Sequence, residues 1–117
     1  MTILSKVGIA ASIADFSVKK IVQDLIDVAT IAAAGSAQTD ATALTAAKNM
    51  VTAADGAKGV VLPVAELNMS VTVVNTVAGS DLLVYPNTSA QINALTATTG
   101  SFTVPGGTEA TFHCDAL

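Results

Sequence analysis

Arginine and tryptophan do not occur in this chain, and histidine, cysteine and tyrosine occur once each, as His113, Cys114 and Tyr85. Recognition of nucleic acid needs several cations on one face, with arginine or aromatic groups to read or stack the bases. The five lysines (Lys6, Lys19, Lys20, Lys48, Lys58) form no cluster longer than two and the net charge is −4, so nucleic acid is excluded as a partner. A single cysteine excludes an internal disulfide and fits a protein that folds in a cytosol. A long apolar run is missing as well. Ile3 to Ala14 is interrupted by Ser5, Lys6 and Ser12 and followed by Asp15, which is too short and too mixed to span a bilayer. Lys6 ahead of Val7 to Ile13 gives only a thin signal-peptide pattern that leads into a charged segment, so neither a cleaved leader nor a membrane partner is expected.

Small and β-branched side chains fill the space left by these absences. The chain is 51% hydrophobic but only 12% charged and 3% aromatic. Such residues pack thin sheets well, yet each buries little area, so at ~25 cal/mol per Å² a lone copy gains modest stability and association with identical neighbours is the natural remedy. The stretch from Met69 to Asn93 shows the pattern most plainly. Val71 and Val73 alternate with Thr72 and Val74, Leu82 and Val84 alternate with Leu83 and Tyr85, and a Gly-Ser-Asp turn separates the two runs. Both faces of each run carry apolar groups, which predicts cover on both faces.

Charge is concentrated early. Asp15, Lys19, Lys20, Asp24 and Asp27 interleave with apolar residues at helical spacing, which predicts a short helix over residues 16–27, followed by extended chain from Val28 to Ala33. The polar break Gly35 to Thr39 then reads as a hinge between an N-terminal arm, residues 1–39, and a main domain, residues 40–117. Beyond it, turn signals recur at Asp55-Gly56, Lys58-Gly59, Gly79-Ser80-Asp81, Pro86-Asn87, Thr99-Gly100 and Pro105-Gly106-Gly107. Spacing this close predicts a mainly all-β fold: a sandwich or barrel of short antiparallel strands near 43–53, 59–62, 69–76, 81–86, 90–94, 101–104 and 108–114. In the last two strands Phe102, Val104, Ala110, Phe112 and Cys114 face inward, while Thr111 and His113 face out.

Chemistry is sparse. His113 and Cys114 are the residues suited to soft-metal binding or nucleophilic catalysis, but neighbours on a strand point to opposite faces and cannot grip one ion together. They read as a buried structural cysteine beside a surface histidine, and a hydrolase site would lack its usual parts. Asp24 and Asp27 share one side of the expected helix and read as its solvated face. Asp40, Asp55 and Asp81 lack the ligand spacing of a calcium loop. Tyr85-Pro86 reads as a core tyrosine with its hydroxyl at the corner turn, since one tyrosine and no tryptophan furnish a glycan groove poorly. Asn68-Met69-Ser70 and Asn87-Thr88-Ser89 match the glycosylation sequon without a secretory context. No catalytic residue, metal site or cofactor is expected, and the chain reads as a non-enzyme.

Several segments carry a resemblance: Val51-Thr52-Ala53-Ala54-Asp55-Gly56, Lys58-Gly59-Val60-Val61-Leu62-Pro63, Val71-Thr72-Val73-Val74-Asn75, Leu83-Val84-Tyr85-Pro86, Ile92-Asn93, and the closing segment from Gly107 to Phe112. Their order, over about three fifths of the chain, resembles a domain of tailed-bacteriophage virion proteins found in head decoration (cement) proteins and in head or tail fibres. Ser89 stands where that pattern has glycine, so the turn there is expected to differ. The resemblance implies a trimeric structural protein, made in the host cytoplasm and carried on the outside of the capsid, with the major capsid protein and its own copies as partners. A fibre or adhesin module contacting a host surface is the alternative, although 117 residues without heptads leave little room for a fibre shaft. The interface expected from the arm and its extension comprises Phe16, Val18, Ile21, Val22, Leu25, Ile26, Val28 and Ile31.

Overall fold

A computed structural model describes residues 27–117. Eight short strands form wherever the β-branched runs lie: β1 (Val28–Ile31), β2 (Thr42–Ala43), β3 (Lys48–Val51), β4 (Gly59–Val61), β5 (Ser70–Asn75), β6 (Leu82–Tyr85), β7 (Phe102–Val104) and β8 (Glu109–His113), with one 3-10 turn at Gln38–Asp40. They build two four-stranded sheets, the first in the order β1-β3-β5-β8 and the second in the order β2-β4-β6-β7.

Most of the pairing is parallel, which corrects the expectation of antiparallel strands. β1, β3 and β5 run in one direction in the first sheet, as do β2, β4 and β6 in the second, and only β7 and β8 pair antiparallel to their neighbours. Through the first six strands each segment crosses to the other sheet and the next one returns, so the chain winds between them. A turn that changes sheets uses the same glycines and aspartates as a hairpin, so turn chemistry marked the reversals without saying which strands pair. β7 then folds back against β6, and β8 closes the same edge of the first sheet.

The two sheets share one core. Val51, Val71 and Val73 from the first meet Val60, Leu82, Val84 and Val104 from the second, with Ala33, Leu44 and Ile92 added from connecting segments. Inward and outward residues alternate: Val71 and Val73 are buried, Thr72 and Val74 are half-buried where cover on both faces was expected, and Thr111 and His113 are exposed. The strand expected over residues 43–53 is broken at 44–47, because Leu44 turns into the core and the Asn49 side chain binds the backbone of Ala46. The strand expected over 90–94 is absent. Only Ile92 of that stretch is buried, and its backbone is taken up by local turns, Ala90 donating to the Asn87 carbonyl and Leu95 to that of Ile92.

Residues 28–39 of the expected arm take part in this body. β1 is the edge strand of the first sheet, and the stretch read as a hinge lies against the second sheet, where Ala34 bridges Gly59 and Gln38 Nε2 donates to the Pro86 carbonyl. Gly35 has φ of 72°, and a Cβ there would collide with Asp40, whose Oδ1 accepts the Ser36 and Ala37 N–H groups. Tyr85 is buried, but its hydroxyl donates to the Ser36 carbonyl at 3.5 Å, so the partner is this returning segment. Its ring lies so close to Gly59 that a Cβ there would sit 2.6 Å away. The helix expected over 16–27 lies, but for exposed Asp27, outside the described residues.

Two fully buried asparagines tie the connections to the core. Asn75 Nδ2 donates to the carbonyls of Ser80 (2.7 Å) and Val104 (3.0 Å), and its Oδ1 accepts the Val77 N–H. Asn49 Nδ2 donates to the Ala46 carbonyl at 2.8 Å and more weakly to that of Thr72 at 3.4 Å. Replacing a buried amide by an apolar group strands its partners, so Asn75→Leu is expected to lower the unfolding free energy by about 2–4 kcal/mol and Asn49→Leu by about 1–2 kcal/mol. Urea denaturation measures both, and an Asn75→Leu variant as stable as the parent would show that these bonds do not hold the fold.

Candidate functional site

The residues with the most reactive chemistry are not assembled into a centre. His113 is exposed on β8, with Nδ1 2.8 Å from Ser70 Oγ on the paired strand. Cys114 follows the strand, is half-buried where full burial was expected, and donates through Sγ to the Ala116 carbonyl at 3.4 Å. Among the described residues no group of three His, Cys, Asp or Glu side chains is placed to hold a metal ion. Asp27 Oδ2 accepts the Ala47 N–H, and Asp24 lies outside the described residues. No helix among the described residues is long and apolar enough to cross a membrane.

The aspartates fix turns. The Ala37 and Ser36 N–H groups hold the Asp40 carboxyl below its ordinary value of 3.8. The Ala57 and Lys58 N–H groups do the same for Asp55, helped by the exposed Lys58 ammonium 3.5 Å away. Both folded-state values lie below the unfolded one, so the stabilisation is fully present above 3.8 and is lost as pH falls through the lower folded values. The melting temperature of the parent is therefore expected to drop with pH below about 4 more steeply than that of an Asp40→Asn, Asp55→Asn double variant. Parallel slopes in thermal scans would rule out these carboxylates as the cause.

A concave feature lies at one end of the body, where β4 and β6 finish, β5 and β7 begin, and β8 runs out. It is an open groove of about 730 Å³ between the loops 62–69 and 86–101. Met69, Val71, Phe102, Ala110 and Phe112 line its apolar part, and Asn87, Gln91, His113 and Asp115 lie among its polar groups. The Phe102 and Phe112 rings meet edge to face, 5.5 Å between centroids and 89° between planes. Both are only half-buried, as are Met69 and Ala110, so the common core continues into this opening without being closed over by the described residues. Val64 and Leu67, 67% and 57% exposed, stand on the shorter loop.

The longer loop carries three of the four non-glycine residues with left-handed backbone among the described residues: Ser89 (φ 69°), Asn93 (φ 52°) and Thr98 (φ 67°). Asparagine tolerates that region, whereas β-branched threonine rarely enters it. The Ser89 N–H donates to Thr98 Oγ1 at 2.8 Å and the Thr98 N–H to the Ala90 carbonyl, so cross-loop bonds hold the strained pair in place. Ser89 thus adopts a backbone region that glycine enters without the steric penalty of a side chain.

Of the interface residues expected from sequence, Phe16, Val18, Ile21, Val22, Leu25 and Ile26 lie outside the described residues. Val28 is 53% exposed on the edge strand, whereas Ile31 packs against the core. The sequence reading assigned Phe102 and Phe112 to inward faces but missed that these faces end in an opening. The available signal was the lack of any large apolar residue in the Thr96 to Ser101 segment with which to cover them.

Glycine at position 89 retains the N–H bond and removes the left-handed penalty of about 1–2 kcal/mol, at an entropic cost of about 0.5–1 kcal/mol. Ser89→Gly is therefore expected to stabilise the protein by about 0.5–1 kcal/mol, while Thr98→Gly gains less because it deletes the acceptor. Urea titrations of the two variants test this, and destabilisation by Ser89→Gly would contradict the loop geometry. No protein-family model matches the chain, and neither a curated protein nor a solved structure matches it.

Proposed function

We propose that this chain is a structural virion protein that decorates and stabilises a bacteriophage capsid, binding the outer surface of the shell as a homotrimer with the major capsid protein as its partner. The observation that carries the reading is the half-covered apolar groove beside Phe102 and Phe112 on a body with no assembled catalytic or metal centre among the described residues. Full burial of a phenylalanine contributes about 1.5–3 kcal/mol relative to exposure, so closing this opening favours association. The segments that resemble virion proteins support it further, since they supply β4, most of β5, β6 and β8, and the buried Pro86 that follows Tyr85. On this reading the two sheets act as a sandwich whose open end is completed by assembly, and the protein is made in the host cytoplasm and resides on the capsid exterior.

A head or tail fibre module contacting a host surface is the second reading. The projecting loop 86–101 favours it, with Gln91, Asn93, Thr96 and Ala97 all exposed. Light scattering across a dilution series is expected to give three times the chain mass of 11.6 kDa, persisting at low concentration. Co-sedimentation with capsids stripped of surface proteins is then expected to retain the chain. A folded monomer that does not bind capsids would overturn the decoration reading, and binding to host cells without binding to capsids would favour the fibre.

A further inference from the structure

We propose that the groove between loops 62–69 and 86–101 receives the apolar segment Phe16 to Ile26 of a neighbouring copy of this chain, an inference that rests on the trimeric reading above. The first argument is where the chain leaves the described body. Asp27 is fixed at the end that carries the groove, its carbonyl accepting the Lys48 N–H at 3.0 Å and its Oδ2 the Ala47 N–H. Twenty-six residues precede it, and the eleven from Phe16 to Ile26 reach at most ~35 Å when extended.

The second argument is position across the sheets. β1 and β2 form one edge, where the chain leaves, whereas β7 and β8, which flank the groove, form the other. A closed ring needs such a pair of different surfaces on each subunit, one to give and one to receive. To fill its own groove a chain would have to cross the whole end of its body, over the 44–47 and 62–69 connections.

The third argument is complementarity. The segment offers Phe16, Val18, Ile21, Val22, Leu25 and Ile26 to an opening floored by Met69, Phe102 and Phe112. Residues 27–117 hold seven acidic groups (Asp27, Asp40, Asp55, Glu66, Asp81, Glu109, Asp115) against Lys48 and Lys58, a charge of −5, whereas residues 1–26 hold three lysines against two aspartates, a charge of +1. Lys19 and Lys20 sit within the segment, Asp115 lines the groove, and Glu66 stands on its shorter loop.

Cys114 lines the groove and is the chain's only cysteine, so it reports directly on the occupant. Full-length Ile21→Cys protein is treated with a short bismaleimide, beside the parent and an Ala78→Cys control whose new thiol lies in the turn at the opposite end of the body. Ile21→Cys is expected to give covalently joined dimers and trimers that the two controls do not, and adding Val22→Asp and Leu25→Asp is expected to cut the yield roughly tenfold through lost burial. Linkage confined within single chains would overturn the proposal, as would coupling no greater than in the Ala78→Cys control. Light scattering on the same samples separates the two ideas: trimers without linkage refute the exchanged segment alone, and monomers refute the trimer with it.

Discussion

The architecture depends on Asn49 and Asn75, two polar side chains that the core cannot leave unpaired. Each is fully buried on an inward face of the first sheet, where an amide without partners would cost about 1–3 kcal/mol. Each is satisfied by backbone groups of the connection it adjoins, so folding the connection and burying the strand become one event. Asn49 closes 44–47 at one end, while Asn75 holds 76–81 at the other and reaches across to Val104. That last bond joins the first sheet to β7, so the antiparallel return that closes the edge is registered against the side chain that ends β5. No buried side-chain nitrogen or oxygen among the described residues is left without a partner. The polar positions therefore specify the winding without weakening it.

Strand positions were legible because β-branched runs and turn residues mark them locally. Gly59 to Val61, Ser70 to Asn75, Leu82 to Tyr85, Phe102 to Val104 and Glu109 to His113 all lie where alternation put them. Pairing direction was not legible, because it depends on which sheet a turn delivers the chain to, and that is set by contacts distant in sequence such as Ala34 with Gly59 and Val51 with Asn75. Ala41 to Ala47 shows the same limit from the other side. Its composition suited a helix as well as a strand and the turns downstream favoured a strand, but Leu44 and the Asn49 bond to Ala46 bend it between sheets.

The candidate site was less legible than the fold. Phe102 and Phe112 look like ordinary core residues in sequence, and only the geometry of the two sheets shows that none of the described residues seals the gap beside them. The reactive side chains misdirected attention in the opposite sense. His113 and Cys114 are adjacent in sequence but bind separately, the imidazole to a neighbouring strand's serine and the thiol to a carbonyl of its own tail. Adjacency on a strand separates functional groups, whereas the groove gathers residues as distant as Met69 and Phe112.

The strained loop and the open groove are connected by the same backbone. Loop 86–101 forms one wall of the groove and, beyond the buried Pro86 at its start, delivers a single buried apolar residue, Ile92, into the shared core. A loop this long needs an anchor, and with only Ile92 available the remaining positions must hold their shape through backbone bonds such as Thr98 N–H to the Ala90 carbonyl and Gly100 N–H to that of Thr96. The loop they hold places Ser89, Asn93 and Thr98 in left-handed conformations, at a cost of about 2–4 kcal/mol for the two residues other than asparagine. For a body whose fully buried apolar side chains are mostly valines, that is a substantial fraction of a typical net stability of about 5–15 kcal/mol. Relaxing the loop would recover part of that energy but release Ile92 and remove the wall beside Phe102, so the shape of the groove is maintained at the expense of the stability of the single chain.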